Sequence, residues 1–146
     1  MISPQEANES SPTILVVDDE PAIRELAASI LEEEGYAVLE ASDGLAALDI
    51  VEQADVDLVL SDIMMSRLDG YGLVRCLRSH GYLLPVVLMS AVTVVPDGKI
   101  PGVKFIPKPF GIDQLCQMVA TALRARKAGR SNSASTIRTH VASLIA

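Results

Sequence analysis

The chain has 146 residues, 49% of them hydrophobic, and a formal charge of -7, a length that buries the core of one ordinary domain without disulfides or a structural metal. A pI near 4.7 excludes a strongly basic face for phosphate backbones and argues against direct nucleic-acid binding. Charged residues interrupt every apolar run before it reaches the ~20 residues of a membrane span, so a cytoplasmic protein without membrane insertion is expected.

Residues 1–12 are polar and acidic, with neither a basic start nor an apolar core; they are expected to form a disordered segment rather than a secretory signal. Thr13-Ile-Leu-Val-Val17 reads as a short buried strand that ends in Asp18-Asp19-Glu20-Pro21, a turn into a helix. From Ala22 the apolar residues Ile23, Leu26, Ala27, Ile30 and Leu31 recur at helical spacing until Gly35 stops the helix. A second strand follows at Ala37 to Leu39, then a helix from Asp43 to Gln53 with Leu45, Leu48 and Val51 on one side.

Leu58 to Leu60 is a third strand ending in Ser61-Asp62, and a helix of about two turns is expected from Tyr71 to Arg78. Pro85 to Met89 and Val103 to Ile106 read as the fourth and fifth strands, and Ile112 to Arg126 as the last helix, with a stripe of Leu115, Cys116, Val119 and Leu123. Cys76 and Cys116 read as small core hydrophobes of a reducing compartment. Strands apolar on both faces and alternating with helices imply an α/β domain over 13–127, a doubly wound parallel sheet of five strands in the order 2-1-3-4-5. Beyond it, 128–146 reads as a linker and a short tail in which Ile137, Val141, Leu144 and Ile145 keep helical spacing, with no room for an output domain.

In such a sheet ligands bind beyond the carboxyl ends of the strands, where strand order reverses. Asp18 and Asp19 end the first strand and Asp62 ends the third, so their carboxylates should converge. Two full charges 4 Å apart cost about 4 kcal/mol at an effective dielectric of 20, and hard oxygen ligands with room for water suit Mg²⁺. Ser90 ends the fourth strand and Lys108 follows the fifth. A hydroxyl and an ammonium there could contact a phosphoryl group, with Asp62 as its acceptor.

Four segments together, Ile14-Leu-Val-Val-Asp-Asp-Glu-Pro21, Ser61-Asp-Ile-Met-Met65 with Asp69-Gly70, Met89-Ser-Ala91, and Lys108-Pro-Phe110, resemble the motifs of response-regulator receiver domains, over roughly Thr13 to Arg126. The resemblance implies a flavodoxin-like fold and a stand-alone two-component regulator that takes a phosphoryl group on Asp62 from a sensor histidine kinase or a histidine phosphotransfer protein. It implies Mg²⁺ held by Asp19, Asp62 and the main-chain carbonyl of Met64, with Asp18 acting largely through water, and a cis Lys108-Pro109 peptide. It also implies a switch in which Ser90 moves toward the phosphoryl group and Phe105 turns inward into the vacated space. The protein would assist its own phosphorylation and slow dephosphorylation without turning over a separate substrate.

The sequence departs from the family at three places. Ser66 stands where proline is usual. Met64 and Val92, at the two variable positions beside the phosphoryl site, are apolar and cannot orient an attacking water, which predicts slow self-dephosphorylation. Val92 to Gly102 contains Pro96, Gly98, Pro101 and Gly102, so a loop is expected where the family has its fourth helix. A homodimer, if it forms, would then use a non-standard surface.

Each acid could instead cap a helix, Ser90 could bond the backbone, and Lys108 could be an ordinary surface charge; the joint placement of all five at strand ends on one side is what favours the phosphoacceptor. Asp69 reads as a cap for the third helix rather than a ligand. Two rivals are a receiver-like protein-binding module that works without phosphorylation, and a Mg²⁺-dependent phosphatase or flavin-type binder. The latter lacks a substrate-covering insert and a phosphate-cradling glycine loop.

Overall fold

Runs of β-branched and aliphatic residues form the strands of the computed structural model, which describes residues 11–91 and 100–129. In chain order the elements are β1 (Thr13–Val17), α1 (Pro21–Glu33), β2 (Ala37–Ala41), α2 (Gly44–Gln53), β3 (Leu58–Asp62), α3 (Gly70–Ser79), β4 (Val86–Ser90), β5 (Val103–Pro107) and α4 (Ile112–Gly129). All neighbouring strands are parallel, in the predicted order β2-β1-β3-β4-β5.

Side chains alternate across the sheet, so each strand feeds two cores. Ile14, Val16, Leu58, Leu60, Val87, Met89 and Ile106 face α1 and α4, packing on Ala27, Leu31, Leu115 and Val119. Leu15, Val17, Val59, Val86 and Leu88 face α2 and α3, packing on Ala47, Val51, Leu73 and Leu77. Burial on both sides is why the central strands lack polar alternation.

Pro21 opens α1, where its missing N–H costs nothing, and Gly35 ends it at φ +97° with the Tyr36 amide bonded back to the Leu31 carbonyl at 3.2 Å. The buried stripe of α1 is Ala27, Ala28, Ile30 and Leu31, whereas Leu26 is 53% exposed. Successive residues differ by about 100° around a helix, and the stripe centred between Ala27 and Leu31 turns Leu26 to solvent. Likewise α2 buries Gly44, Ala47 and Val51, leaving Leu45 at its first turn 45% exposed. Cys76 and Cys116 are free thiols at the margins of the core, only half-buried rather than fully interior.

At the amino-terminal end of the sheet, Asp57 receives the Thr13 amide at 2.8 Å and pairs with Arg126 of α4 at 3.1 Å. The last helix runs on to Gly129, past Arg126 where the periodicity ends. Most of the expected loop over 92–102 lies outside the described residues, as do most of the expected amino-terminal segment and carboxy-terminal tail. Ile100 to Gly102 form the turn into β5, with the Val103 amide donating to the Ile100 carbonyl at 3.0 Å and Gly102 at φ +73°. Among the described residues no helix is long and apolar enough to cross a membrane.

Candidate functional site

Strand order reverses between β1 and β3, and the residues at their carboxyl ends are acidic. Asp18, Asp19 and Asp62 each offer a carboxylate oxygen within 4.8 Å of the others. Asp18 is fully buried, and its oxygens are separately employed: Oδ1 accepts from the Glu20 amide at 2.9 Å, and Oδ2 accepts from Lys108 Nζ at 3.2 Å. Its carbonyl accepts from Arg24 Nη1 at 2.8 Å, and Arg24 in turn pairs with Glu40 at 3.1 Å. Asp19 faces solvent. Glu20, the residue before α1, makes no side-chain cap, and Asp18 bonds the Glu20 amide rather than an amide of the helix's first turn.

Lys108 reaches this cluster from the far side of the sheet. Its amide donates to the Ser90 carbonyl at 2.7 Å, continuing the β4–β5 ladder, and the Lys108-Pro109 peptide is cis, as the resemblance implied. The ammonium lies 3.2 Å from Asp18 and 3.4 Å from Asp62, joining residues that are 90 positions apart. Burial lifts the Asp62 carboxyl above the usual carboxylate range and Asp18 adds to the lift, outweighing the pull of Lys108. Burial also opposes the charge on Lys108, but Asp62 and Asp18 outweigh it and hold the ammonium above an ordinary lysine. An all-oxygen donor set with one lysine as its partial counter-charge fits a hard divalent ion of the Mg²⁺ type. Met64, two residues past Asp62, exposes 77% of its surface at the rim.

The loop after Asp62 is held by its backbone. The Ile63 amide donates to the Met89 carbonyl at 3.2 Å, and the Gly70 amide donates to the Ile63 carbonyl at 2.9 Å. Gly70 lies so close that a Cβ there would fall 2.6 Å from the Asp62 carbonyl oxygen. Asp69 caps α3 through the Gly72 amide at 2.7 Å, the role read from the sequence, and Asp43 caps α2 through the Ala46 amide at 2.9 Å. Arg67, at φ +70°, pairs with Asp43 at 3.3 Å, and Leu68 fills the space left open by Gly44 and Gly72.

Ser90 is half-buried at the end of β4, one residue beyond the Asp62–Met89 pair. Phe105 sits opposite Leu88 on β5, half-buried, with its ring 6.4 Å from that of Tyr71. The structure thus gathers Asp18, Asp19, Asp62 and Lys108 directly, with Ser90 and Met64 at the margin. Sequence reasoning missed Gly70 and Gly44 as points of close approach and Tyr71 as the neighbour of Phe105. The repeated Asp-Gly pairs, Asp43-Gly44 and Asp69-Gly70, carried a signal for the first two: a cap followed by a residue with no Cβ.

The family model of the response regulator receiver domain matches residues 14–120. The chain belongs to this family. Response regulator GtcR of Aneurinibacillus migulanus is 42% identical to this receiver over 119 residues, 78% of this chain and 48% of that protein. The receiver thus spans about half the length of the curated relatives it matches. Among solved structures, the receiver domain of the hybrid histidine kinase CckA is 39% identical with a TM-score of 0.66, covering 76% of this chain and 98% of that one. The receiver domain of the Francisella response regulator 1452 is 31% identical with a TM-score of 0.73, covering 80% and 99%.

Proposed function

We propose that this receiver accepts a phosphoryl group on Asp62 from a histidine kinase or a histidine phosphotransfer protein, and that the modification changes the surface it offers to a partner protein. The observation that carries this reading is the Lys108 ammonium lying between Asp18 and Asp62, 3.2 Å and 3.4 Å away, at the carboxyl end of the sheet. An Asp62 oxygen attacks the donor's phosphorus as the bond from phosphorus to the donor's imidazole nitrogen breaks. The electron pair of that bond stays with the nitrogen.

Lys108 is held within reach of Asp62 and neutralises part of the charge on the transferring group, and the Ser90 hydroxyl can donate a hydrogen bond to it. Asp18 keeps Lys108 in place, since it is buried and also anchored by the Glu20 amide. Asp18, Asp19, Asp62 and the Met64 main-chain carbonyl would hold Mg²⁺, which when bound supplies further neutralisation of the phosphoryl oxygens. The protein modifies itself and is not a turnover enzyme on a separate substrate. A cytoplasmic setting suits a histidine-kinase donor.

The test is intact mass after incubation with Mg²⁺ and acetyl phosphate or a phosphorylated histidine donor. One phosphoryl adduct on the wild type, absent in Asp62→Asn and absent with a chelator, is the expected result. No adduct with either donor would leave a phosphorylation-independent binding module as the function.

A further inference from the structure

On the reading of the acidic cluster as a Mg²⁺ site, we propose that Arg24 is a positioning residue of that site. Its guanidinium holds the Asp18–Asp19 peptide in place and so fixes the direction from which Asp19 presents its carboxylate.

β1 pairs with β2 as far as Val17 opposite Ala41, and the Asp18 amide adds one further bond, to the Ala41 carbonyl at 3.2 Å. The ladder ends there, yet Asp18 is fully buried, so its own carbonyl needs a donor from elsewhere. Arg24 supplies it, with Nη1 donating to the Asp18 carbonyl at 2.8 Å, a short charge-assisted bond. Arg24 stands one turn into α1, its amide bonded to the Glu20 carbonyl at 3.1 Å. Helical side chains lean toward the N-terminus of their helix, which brings the guanidinium back over the turn. Nε donates to Glu40 of β2 at 3.1 Å, so the planar group is held at two points and cannot swing away without losing both.

The carbonyl of Asp18 and the amide of Asp19 lie in one peptide plane. Arg24 anchors that plane, while the Asp18 carboxylate is bonded to the Glu20 amide at 2.9 Å and to Lys108 at 3.2 Å. The backbone is therefore fixed on both sides of Asp19. Asp19 is the exposed member of the three acids whose oxygens converge within 4.8 Å, and its approach to the cluster is set by the backbone that carries it. The same guanidinium is also a positive charge beside the cluster, offset in part by Glu40, whose side chain is 40% exposed. Charge alone opposes a divalent cation. The two effects have opposite signs: deleting a mere charge strengthens Mg²⁺ binding, whereas deleting a positioning group weakens it.

The measurement is a Mg²⁺ titration of the purified, ¹⁵N-labelled chain, followed by the NMR signals of its amides. Arg24→Met, which keeps an unbranched side chain without its donors, is expected to weaken Mg²⁺ binding about tenfold, the lower end of what losing a group behind a metal ligand costs. Arg126→Met is the structural control. Arg126 makes a like pair of contacts at the opposite pole, to the Val56 carbonyl at 3.3 Å and to Asp57 at 3.1 Å, so its loss is expected to lower the melting temperature and leave the Mg²⁺ affinity as it is. Unchanged or tighter binding in Arg24→Met, or an equal loss of affinity in Arg126→Met, overturns the role of Arg24 alone. A wild type that does not bind Mg²⁺ overturns the metal reading and the role of Arg24 together.

Should Arg24→Met fail to fold, Glu40→Met decides. It leaves Arg24 its bond to the Asp18 carbonyl and removes the carboxylate that steadies the guanidinium. In about 0.5 M KCl, where the Debye length is only a few ångströms, the lost charge itself contributes little. Mg²⁺ binding is then expected to weaken by about two- to fivefold, the range that one partly exposed ion pair carries. Unchanged affinity in Glu40→Met under these conditions overturns the proposal.

Discussion

Replacing Gly70 by alanine tests whether Asp62, the proposed phosphoacceptor, is held by its backbone. The new Cβ would lie 2.6 Å from the Asp62 carbonyl oxygen, 2.9 Å from Ile63 Cα and 3.0 Å from Leu88 Cδ2. Two of these atoms are backbone next to the Asp62 carboxylate, so relief requires α3 or the end of β3 to move. Overpacking of this kind costs about 1–3 kcal/mol, offset by the roughly 0.5–1 kcal/mol that alanine gains over glycine in a helix. A net loss of about 1–2 kcal/mol lowers the melting temperature by roughly 4–10 °C in a domain of this size. Thermal unfolding by circular dichroism measures it, and acetyl phosphate with intact mass measures the accompanying fall in phosphorylation rate. Gly111→Ala is the control, because nothing lies within 4 Å of its Cβ position, and it is expected to stay within about 0.5 kcal/mol of wild type. A Gly70→Ala protein with unchanged melting temperature and phosphorylation rate would refute the close approach as a functional constraint.

Asp62→Asn should raise the melting temperature of the chelated protein at neutral pH, because burial outweighs the pull of Lys108 and, with Asp18 adding to it, disfavours the native carboxylate. A carboxyl raised in the folded state withdraws stability as pH rises from its ordinary value of 3.8 through the raised one, so the difference in melting temperature should vanish below that window. Lys108→Met leaves the fully buried Asp18 without its ammonium and should cost about 2 kcal/mol in urea unfolding, less than the ~3–5 kcal/mol of a fully buried pair. The same variant should gain more thermal stability from added Mg²⁺ than the wild type and lose phosphorylation. Met64→Asn, at a side chain 77% exposed beside Asp62, should shorten the lifetime of the phosphoryl adduct severalfold, since an amide can orient water and a thioether cannot; decay of the adduct mass measures this.

The sheet order was legible because strands such as Ile14 to Val17 and Leu58 to Leu60 are apolar without alternation, and their polar ends mark one side of the sheet. That pattern also announced Asp18, Asp19, Asp62 and Lys108 as a group. Helix faces were less legible. Leu26 and Leu45 fit an apolar stripe by spacing, yet both point to solvent while Ala28 and Gly44 are buried. Spacing fixes a periodicity, but the rotation of the stripe is set by how closely small residues let a helix approach the sheet. Side-chain pairs between distant segments, such as Arg67 with Asp43 and Tyr71 with Phe105, were not legible at all. They depend on helix placement and rotamers, which no local pattern encodes.

Asp57 binds the Thr13 amide with one carboxylate oxygen and the Arg126 guanidinium with the other. A single carboxyl group therefore gathers the point where the chain enters the sheet and the point where its last helix departs, at the pole opposite the acidic cluster and Lys108. A unit whose two ends meet in this way can be spliced into a host loop, or cut and rejoined in a new order, without stretching the sheet. The same anchorage lets neighbouring chain be exchanged while the carboxyl end of the sheet stays as it is.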